Sequence, residues 1–434
     1  MRLGCFDRLM LDKAFTYRNS ELFCEEVALS AAAGVYGTPA YVYSKAAIVG
    51  RFRSYKSALQ TLPHRICYSV KANSNLAILA ALKAEGAGFD IVSGGELYRV
   101  LASGGAPRSV VFSGVGKTEA EIRFALDQQI HSFNCESEAE IHLISRIAVE
   151  LGRTAAIAIR VNPDVDAITH PYISTGLREH KFGVDIDAAE QIYARAAHLP
   201  GVSVEGVSCH IGSQLLDVEP LLESAGKALG LVSRLRAQGI AIRNLDLGGG
   251  LGVAYRPSER AADIETFLDR LRPKLEGSGL ILTLEPGRSI VAEAGLLLTR
   301  VLLTKCNGRK TFVIVDAAMN DLIRPSLYQA HHEIVPVRQH ASGPTIHADV
   351  VGPICESGDF FARGRELPSM NPGDLLAIQT AGAYGFVLSS NYNSRPRPCE
   401  LLVDGDRIII ARARETYEDL IRGEVSNLAT EPQA

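Results

Sequence analysis

No stretch of this chain stays apolar for the length of a membrane span, which excludes a helical transmembrane protein. Met1 to Asp12 lacks the apolar centre of a signal peptide and the Arg-rich amphipathic character of a transit peptide, so a soluble, cytoplasmic protein is expected. Excess positive charge is missing too. Against 45 Lys and Arg stand 49 Asp and Glu, a net charge of -4 that offers no footprint for nucleic acid. The eight cysteines contain no CxxC pair and no Cys/His metal spacing, so reduced thiols and no structural metal are expected. His331-His332 is the nearest approach to a ligand cluster, and neighbours on one strand would point to opposite faces. There is no internal repeat and no low-complexity linker. What remains is 434 residues, 47% of them hydrophobic, enough for a large barrel and a second domain.

Eight short apolar and β-branched runs recur, and the residues equipped for chemistry sit where they end. The runs are Ile66 to Val70, Gly88 to Val92, Val110 to Phe112, Ile130 to Phe133, Ala155 to Val161, Val204 to Cys209, Asn244 to Leu247 and Ile281 to Leu284. Helix-like stretches such as Ser74 to Glu85, Gly95 to Ser103, Ser137 to Leu151 and Leu221 to Gln238 alternate with them. The alternation predicts parallel βα units, and eight of them predict an α/β fold built on a closed (β/α)8 barrel over residues 46–295. An open doubly wound sheet is the structural alternative. From about Leu296 the pattern changes to strands separated by turn signals (Arg300 to Lys305, Thr311 to Val315, Asp374 to Gln379, Glu400 to Val403, Arg407 to Ala411). Residues 1–45 and 296–434 are therefore read as a discontinuous, mainly antiparallel β domain. Thr38 to Tyr43 would either join its sheet or cover the barrel's bottom, and Leu428 to Ala434 is expected to fray.

Lys71 stands at the inner end of the first run, where an amine asks for a reason. Schiff-base chemistry is one reason; an ion pair with Asp90, or exposure at the strand's mouth, is another. Gly248-Gly249-Gly250 follows the seventh run, where barrels often hold a phosphate, although tight turns use glycine as well. Glu285, in Glu285-Pro286-Gly287-Arg288, ends the eighth run and could keep a pyridine nitrogen protonated, with Arg288 forking onto a phosphate or carboxylate. The two could equally pair with each other. His210 ends the sixth run, either stacked on an aromatic cofactor with Ser213 near its phosphate, or as a satisfied core histidine. Taken jointly, these groups describe a pyridoxal phosphate pocket.

At these residues the chain closely resembles the fold-type III pyridoxal phosphate decarboxylases, and among them those acting on meso-diaminopimelate. The resemblance runs from about Gly37 to Gly405 and rests on YSVKAN at Tyr68, GAGFDIVSGGEL at Gly86, CHIGSQ at Cys209, LDLGGGLG at Leu245, EPGR at Glu285, MNDLIRPSLY at Met319, GPICESGD at Gly352, GAYG at Gly382 and NYNSRPRP at Asn391. Ser69 and Cys399 stand where many relatives have alanine. The resemblance implies an alanine-racemase-like barrel with a β domain, working as a head-to-tail homodimer with sites at its interface. It implies that pyridoxal 5′-phosphate is held covalently by Lys71, with Asp90 beside it, His210 stacked on the ring and Glu285 at its nitrogen. Ser213, Gly248, Gly249, Gly250, Gly287, Arg288 and Tyr384 would surround the phosphate. Arg288, Arg324, Tyr328 and Tyr384 would contact the amino-acid substrate, while the partner subunit would donate Cys355, which returns a proton, and Glu356.

The implied reaction turns meso-2,6-diaminopimelate into L-lysine and carbon dioxide. Its second amino-acid head needs a cation partner and a carboxylate partner; Glu356 suits the ammonium, and Arg324 and Arg288 suit the carboxylate, unless Arg324 is paired internally with Asp321. A decarboxylase of ornithine, arginine, lysine or a carrier-bound amino acid is the nearest alternative. A racemase would need a base opposite Lys71, where this chain offers Cys355. A silent binding protein of the same fold would have no need of Lys71, Glu285 and Cys355 together.

Overall fold

The computed structural model describes residues 14–165, 181–339 and 344–426. Met1 to Asp12 and Leu428 to Ala434, read above from sequence, lie outside them. Contacts divide the chain into two units, one of Ser44–Gly295 with Thr380–Val387, the other of Phe15–Tyr43, Leu296–Gln379 and the described residues from Leu388 onward. Among the described residues no helix is long and apolar enough to cross a membrane.

The first unit is a barrel of eight parallel strands: β1 (His64–Ser69), β2 (Gly88–Ile91), β3 (Val110–Phe112), β4 (Ser132–Cys135), β5 (Ala155–Asn162), β6 (Val202–Cys209), β7 (Asn244–Asp246) and β8 (Ile281–Leu284). It is closed, because β8 pairs with β1 through Leu284↔Ile66 while β4 pairs with β5 through Asn134↔Ala158. That ring excludes the open-sheet alternative. Most helices between the strands form where a polar cap precedes an apolar stripe, although Glu219–Ala237 starts after Val218 with no side-chain cap. In Glu138–Glu150 the cap is Ser137, whose Oγ accepts from the Glu140 amide at 3.2 Å, and the stripe is Ile141, Ile144, Ile147 and Ala148, all buried. Burying each of those isoleucines contributes about 1.5–3 kcal/mol. Polar residues stand at or just after the ends of several strands, among them Ser113 after β3, His210 after β6, Asp246 at the end of β7 and Glu285 after β8.

The second unit is a mixed sheet in the order Phe360–Pro368, Thr345–Val351, Lys310–Val315, Gly295–Asn307, Ala40–Ser44, Cys399–Asp404, Arg407–Arg412. Most pairings whose direction is fixed are antiparallel, but Lys310–Val315 runs parallel to Thr345–Val351. The strand expected at Thr38 to Tyr43 lies inside this sheet, so it joins the C-terminal strands. Leu298, Val42, Leu401 and Cys399 form its core with Leu22, Cys24 and Leu29. Two strands, Thr345–Val351 and Phe360–Pro368, carry charged residues at alternate or adjacent positions, and no clean apolar run marks them in the sequence. His331 and His332 do not share a strand; they precede Ile334–Pro336 in irregular backbone. Their expected opposite-face geometry does not apply.

Candidate active site

The amine comes first because its position follows from the backbone. β1 ends at Ser69 and the chain makes one 3₁₀ turn, Val70–Ala72, which carries Lys71 to the mouth beside β2. Its Nζ donates to Asp90 Oδ2 at 2.5 Å, and Ser69 Oγ lies 2.8 Å from the same oxygen. Asp90 is wholly buried, and a buried carboxylate without a cation would be costly. Withdrawal from solvent works against the Lys71 charge, but the carboxylates of Asp90 and Glu285 outweigh it and hold the ammonium well above its usual range. The pairing with Asp90 and the place at the mouth are thus both real.

Across the barrel, Glu285 follows β8 and Asp246 ends β7, both buried and hydrogen-bonded to each other. Full ionisation of two carboxyls in that contact is costly, and burial raises the pKa of both. Burial, then the negative charges of Asp246 and Asp90, push the Glu285 carboxyl far up. Asn134 at the end of β4 bridges the pair, its Nδ2 lying 2.9 Å from Asp246 Oδ2, 3.1 Å from Glu285 Oε1 and 3.1 Å from Ser113 Oγ. Buried Lys117 in turn donates to the Asn134 carbonyl at 2.9 Å and to Glu140 at 2.6 Å. His210, at the end of β6, is neutral at ordinary pH: burial, then the charges of Arg160 and Lys71, hold its pKa far below the usual value. Arg160 also donates to the His210 carbonyl at 3.1 Å.

The glycines shape the rest of the mouth. Gly248 has φ +65°, and a Cβ there would collide with the His210 ring; a Cβ on Gly249 would collide with the Glu285 carbonyl oxygen. Gly248 N–H donates to Asp246 Oδ1 at 2.8 Å. Arg288, after Gly287, is 7% exposed and donates to Ser213 Oγ at 3.0 Å and to Tyr255 OH at 2.8 Å, with the Tyr384 ring 4.7 Å from its guanidinium. Tyr384 belongs to the Thr380–Val387 segment, tied to the Lys71 turn by its own N–H donating to Ala72 O at 2.8 Å and by Asn73 Nδ2 donating to Gly382 O at 3.0 Å. One guanidinium, hydroxyls, a cradle without Cβ atoms, an amine and a buried acid suit pyridoxal 5′-phosphate by donor type. The buried Oδ1 of Asp90, without a hydrogen-bond partner among the described residues, adds an acceptor.

In this unit the structure gathers Lys71, Asp90, His210, Ser213, Gly248, Gly249, Gly250, Glu285, Gly287, Arg288 and Tyr384. Asn134, Asp246 and Tyr255 join them without having been singled out in the sequence, though Asn134 and Asp246 share the one signal that was available, a polar side chain at a strand's end. Glu285 and Arg288 could have paired with each other; the bonds described above run elsewhere.

Arg324, Tyr328, Cys355 and Glu356 belong to the second unit. Arg324 opens the short helix Arg324–Tyr328 and is buried, whereas Cys355 and Glu356 are exposed on the loop between Thr345–Val351 and Phe360–Pro368. Asp359 joins the two segments by accepting from the Met319 and Ile354 amides at 2.7 Å each. Ser326 Oγ, on the helix, donates to the Gly358 carbonyl. Cys355 N–H donates to Asn393 Oδ1 at 2.9 Å. Asp321 accepts from the Ala318 amide at 2.9 Å and from Asn320 Nδ2 at 3.0 Å, and Arg324 Nη1 lies 2.9 Å from His332 Nε2. Among the described residues no group of three or more His, Cys, Asp and Glu could hold a metal ion.

Comparison with known proteins agrees with this chemistry. Residues 45–292 match the model of the pyridoxal-dependent decarboxylase family, pyridoxal binding domain. The diaminopimelate decarboxylase of Pseudomonas aeruginosa is 56% identical over 94% of this chain and 98% of its own, and that of Vibrio cholerae 50% identical over 94% and 97%. Among solved structures, the diaminopimelate decarboxylase of Helicobacter pylori complexed with L-lysine superposes with a TM-score of 0.87 at 45% identity, covering 91% of this chain and 98% of that one. A barrel mouth equipped for pyridoxal phosphate, and likeness over nearly the whole chain, give one conclusion: the chain belongs to the pyridoxal-dependent decarboxylase family and, within it, to the diaminopimelate decarboxylases.

Proposed function

We infer that this enzyme removes carbon dioxide from meso-2,6-diaminopimelate and leaves L-lysine, the last step of lysine formation, with pyridoxal 5′-phosphate as cofactor. One observation carries the reading: an amine, Lys71, lies among the buried acids Asp90 and Glu285 at the mouth of a barrel whose relatives carry this activity in their names. When bound, the cofactor supplies an electron sink for the carbon that loses its carboxylate.

The chain's own residues have separable tasks. Lys71 would hold the cofactor covalently through its amine, with Asp90 Oδ2 2.5 Å away as its fixed partner. Ser213, Gly248, Gly249, Gly250, Gly287, Arg288 and Tyr384 would hold the phosphate. His210, kept neutral, would face the ring without adding charge. Glu285, whose proton is retained by burial and by Asp246, would hold a proton at the ring nitrogen. On the second unit, Arg324 and Tyr328 would receive the carboxylate of the distal head and Glu356 its ammonium, and Cys355 would deliver a proton to the carbon. The last two would come from the partner subunit of a cytoplasmic homodimer.

Carbon dioxide release by the holoenzyme, compared for meso-diaminopimelate, L-ornithine, L-arginine and L-lysine at equal concentration, tests the substrate. Strong preference for meso-diaminopimelate with L-lysine as product is expected. Preference for another amino acid would overturn the substrate and leave the cofactor chemistry standing.

A further inference from the structure

We propose that His332 is the positioning residue for Arg324, its imidazole fixing the direction in which the guanidinium receives the carboxylate of the substrate's distal head. The proposal rests on Arg324 being that carboxylate's partner.

His332 is completely buried, and its two ring nitrogens face partners of opposite kind. Nδ1 lies 2.8 Å from the Gln379 carbonyl oxygen, which can only accept, so Nδ1 carries the hydrogen. Nε2 lies 2.9 Å from Arg324 Nη1, which can only donate, so Nε2 presents its lone pair. Both bonds are satisfied by one species, the neutral Nδ1–H tautomer. A second proton on Nε2 would point at a cation.

What stands behind the imidazole is rigid. Gln379 directly follows the strand Leu375–Ile378, which pairs with both Gly295–Asn307 and Ile334–Pro336, and its own N–H donates to the Glu333 carbonyl at 2.8 Å. The chain of contacts therefore runs from the sheet, through a backbone carbonyl and a fixed imidazole, to a guanidinium at the start of a helix only five residues long. A guanidinium has five N–H donors, and a carboxylate is gripped by two of them only when the plane is correctly turned. Setting that plane is a task for a directional acceptor. His331 next door differs: it sits against Glu333 at 3.1 Å and Arg365 at 3.1 Å, in an ionic cluster.

The test separates the two sides of the ring. In His332→Asn the amide reproduces the Nδ1 donor and loses the acceptor for Arg324; in His332→Gln it reproduces the Nε2 acceptor and loses the bond to Gln379. With the cofactor-loaded enzyme, His332→Asn is expected to raise KM for meso-diaminopimelate about tenfold with kcat nearly unchanged, the loss of one hydrogen bond to a charged group, while His332→Gln stays within about threefold. Inhibition by L-lysine, which keeps a carboxylate, should weaken in the Asn variant, and inhibition by cadaverine, which has none, should not. Equal KM in the two variants, or a loss confined to kcat, overturns the proposal. Arg324→Gln is measured beside them. If it leaves KM unchanged, the substrate reading of Arg324 has failed; if it raises KM and His332→Asn does not, only the positioning role has failed. Should His332→Asn not fold, His332→Gln decides alone, since a KM as high as that of Arg324→Gln refutes the role.

Discussion

Replacing Asn134 by alanine tests the buried acid pair most directly. Its Nδ2 carries two hydrogens and faces Asp246 Oδ2 at 2.9 Å, Glu285 Oε1 at 3.1 Å and Ser113 Oγ at 3.1 Å. The two carboxyls are 4% and 7% exposed, so water does not readily replace the amide. Each hydrogen bond to a charged acceptor contributes about 1.5–3 kcal/mol, but two hydrogens are shared among three acceptors and full ionisation of the pair is already costly. A net loss of about 2–4 kcal/mol in unfolding free energy follows. The pH dependence has a definite sign. Burial raises both carboxyls in the folded state, and the amide favours the ionised form of Asp246, while its Nδ2 also donates to Glu285 Oε1 at 3.1 Å. Without it the folded pKa values rise further. A carboxyl with a raised folded pKa contributes stability that is present below its unfolded pKa and is lost as pH rises through the folded one. The variant should therefore lose more, relative to the unaltered enzyme, at pH 8.5 than at pH 6. Urea unfolding of the cofactor-free protein at fixed protein concentration, compared at those two pH values, gives the difference from the midpoints and the shared slope. A loss below about 1 kcal/mol, or one larger at pH 6, would refute the account of Asn134 as the donor holding the pair together.

Lys71→Ala should lose the absorbance band of enzyme-bound pyridoxal phosphate and all turnover, whereas Cys355→Ala should keep the band and lose most turnover; mixing the two should restore part of the activity through mixed dimers, and none despite demonstrated subunit exchange would put both residues in one subunit's site. Gly249→Ala drives a Cβ into the Glu285 carbonyl oxygen, so absorbance titration with pyridoxal phosphate should show affinity weakened about tenfold or more, and unchanged affinity would count against the cradle. Asp321, 1% exposed, has its carboxyl pushed up to about 7 by burial. Its contribution is present below the unfolded carboxylate range near pH 4 and is lost as pH rises to about 7, on the order of 4 kcal/mol. Asp321→Asn should flatten that fall in urea stability between pH 4.5 and 7.5, and an unaltered slope would contradict it.

The barrel was legible because its strands are short, doubly buried and bounded by polar residues. Val110–Phe112 and Ile281–Leu284 coincide with their apolar runs, and the run at Val204 to Cys209 stops where β6 stops. The run at Ile130 to Phe133 begins before its strand, Ser132–Cys135, and stops two residues short of the strand's end, because the polar Asn134 interrupts the apolar pattern while the strand continues through it to buried Cys135. Lys71, Glu285 and Gly248–Gly250 were legible because each is chemically out of place in an apolar run. Asp246 and Asn134 are equally polar, but their roles depend on partners 39 to 151 residues away, as in Asn134 to Glu285, and no spacing rule encodes such a meeting. His332 was visible only as half of a histidine pair, because its contacts, the Gln379 carbonyl and the Arg324 guanidinium, are brought to it by the fold. The strands Thr345–Val351 and Phe360–Pro368 escaped because one face of each is charged.

The strand Ala40–Ser44 sits between Gly295–Asn307 and Cys399–Asp404, so its two neighbours are made long after it. On a ribosome adding about 5–20 residues per second, Ala40–Ser44 waits on the order of ten to fifty seconds for the first partner and longer for the second. Through that interval it is a stretch of Tyr41, Val42 and Tyr43 with unpaired edges, while the barrel between has all its own strands and can close. The strands of the barrel are therefore all made before either neighbour of Ala40–Ser44 is complete, so the sheet can close only after the barrel's strands exist.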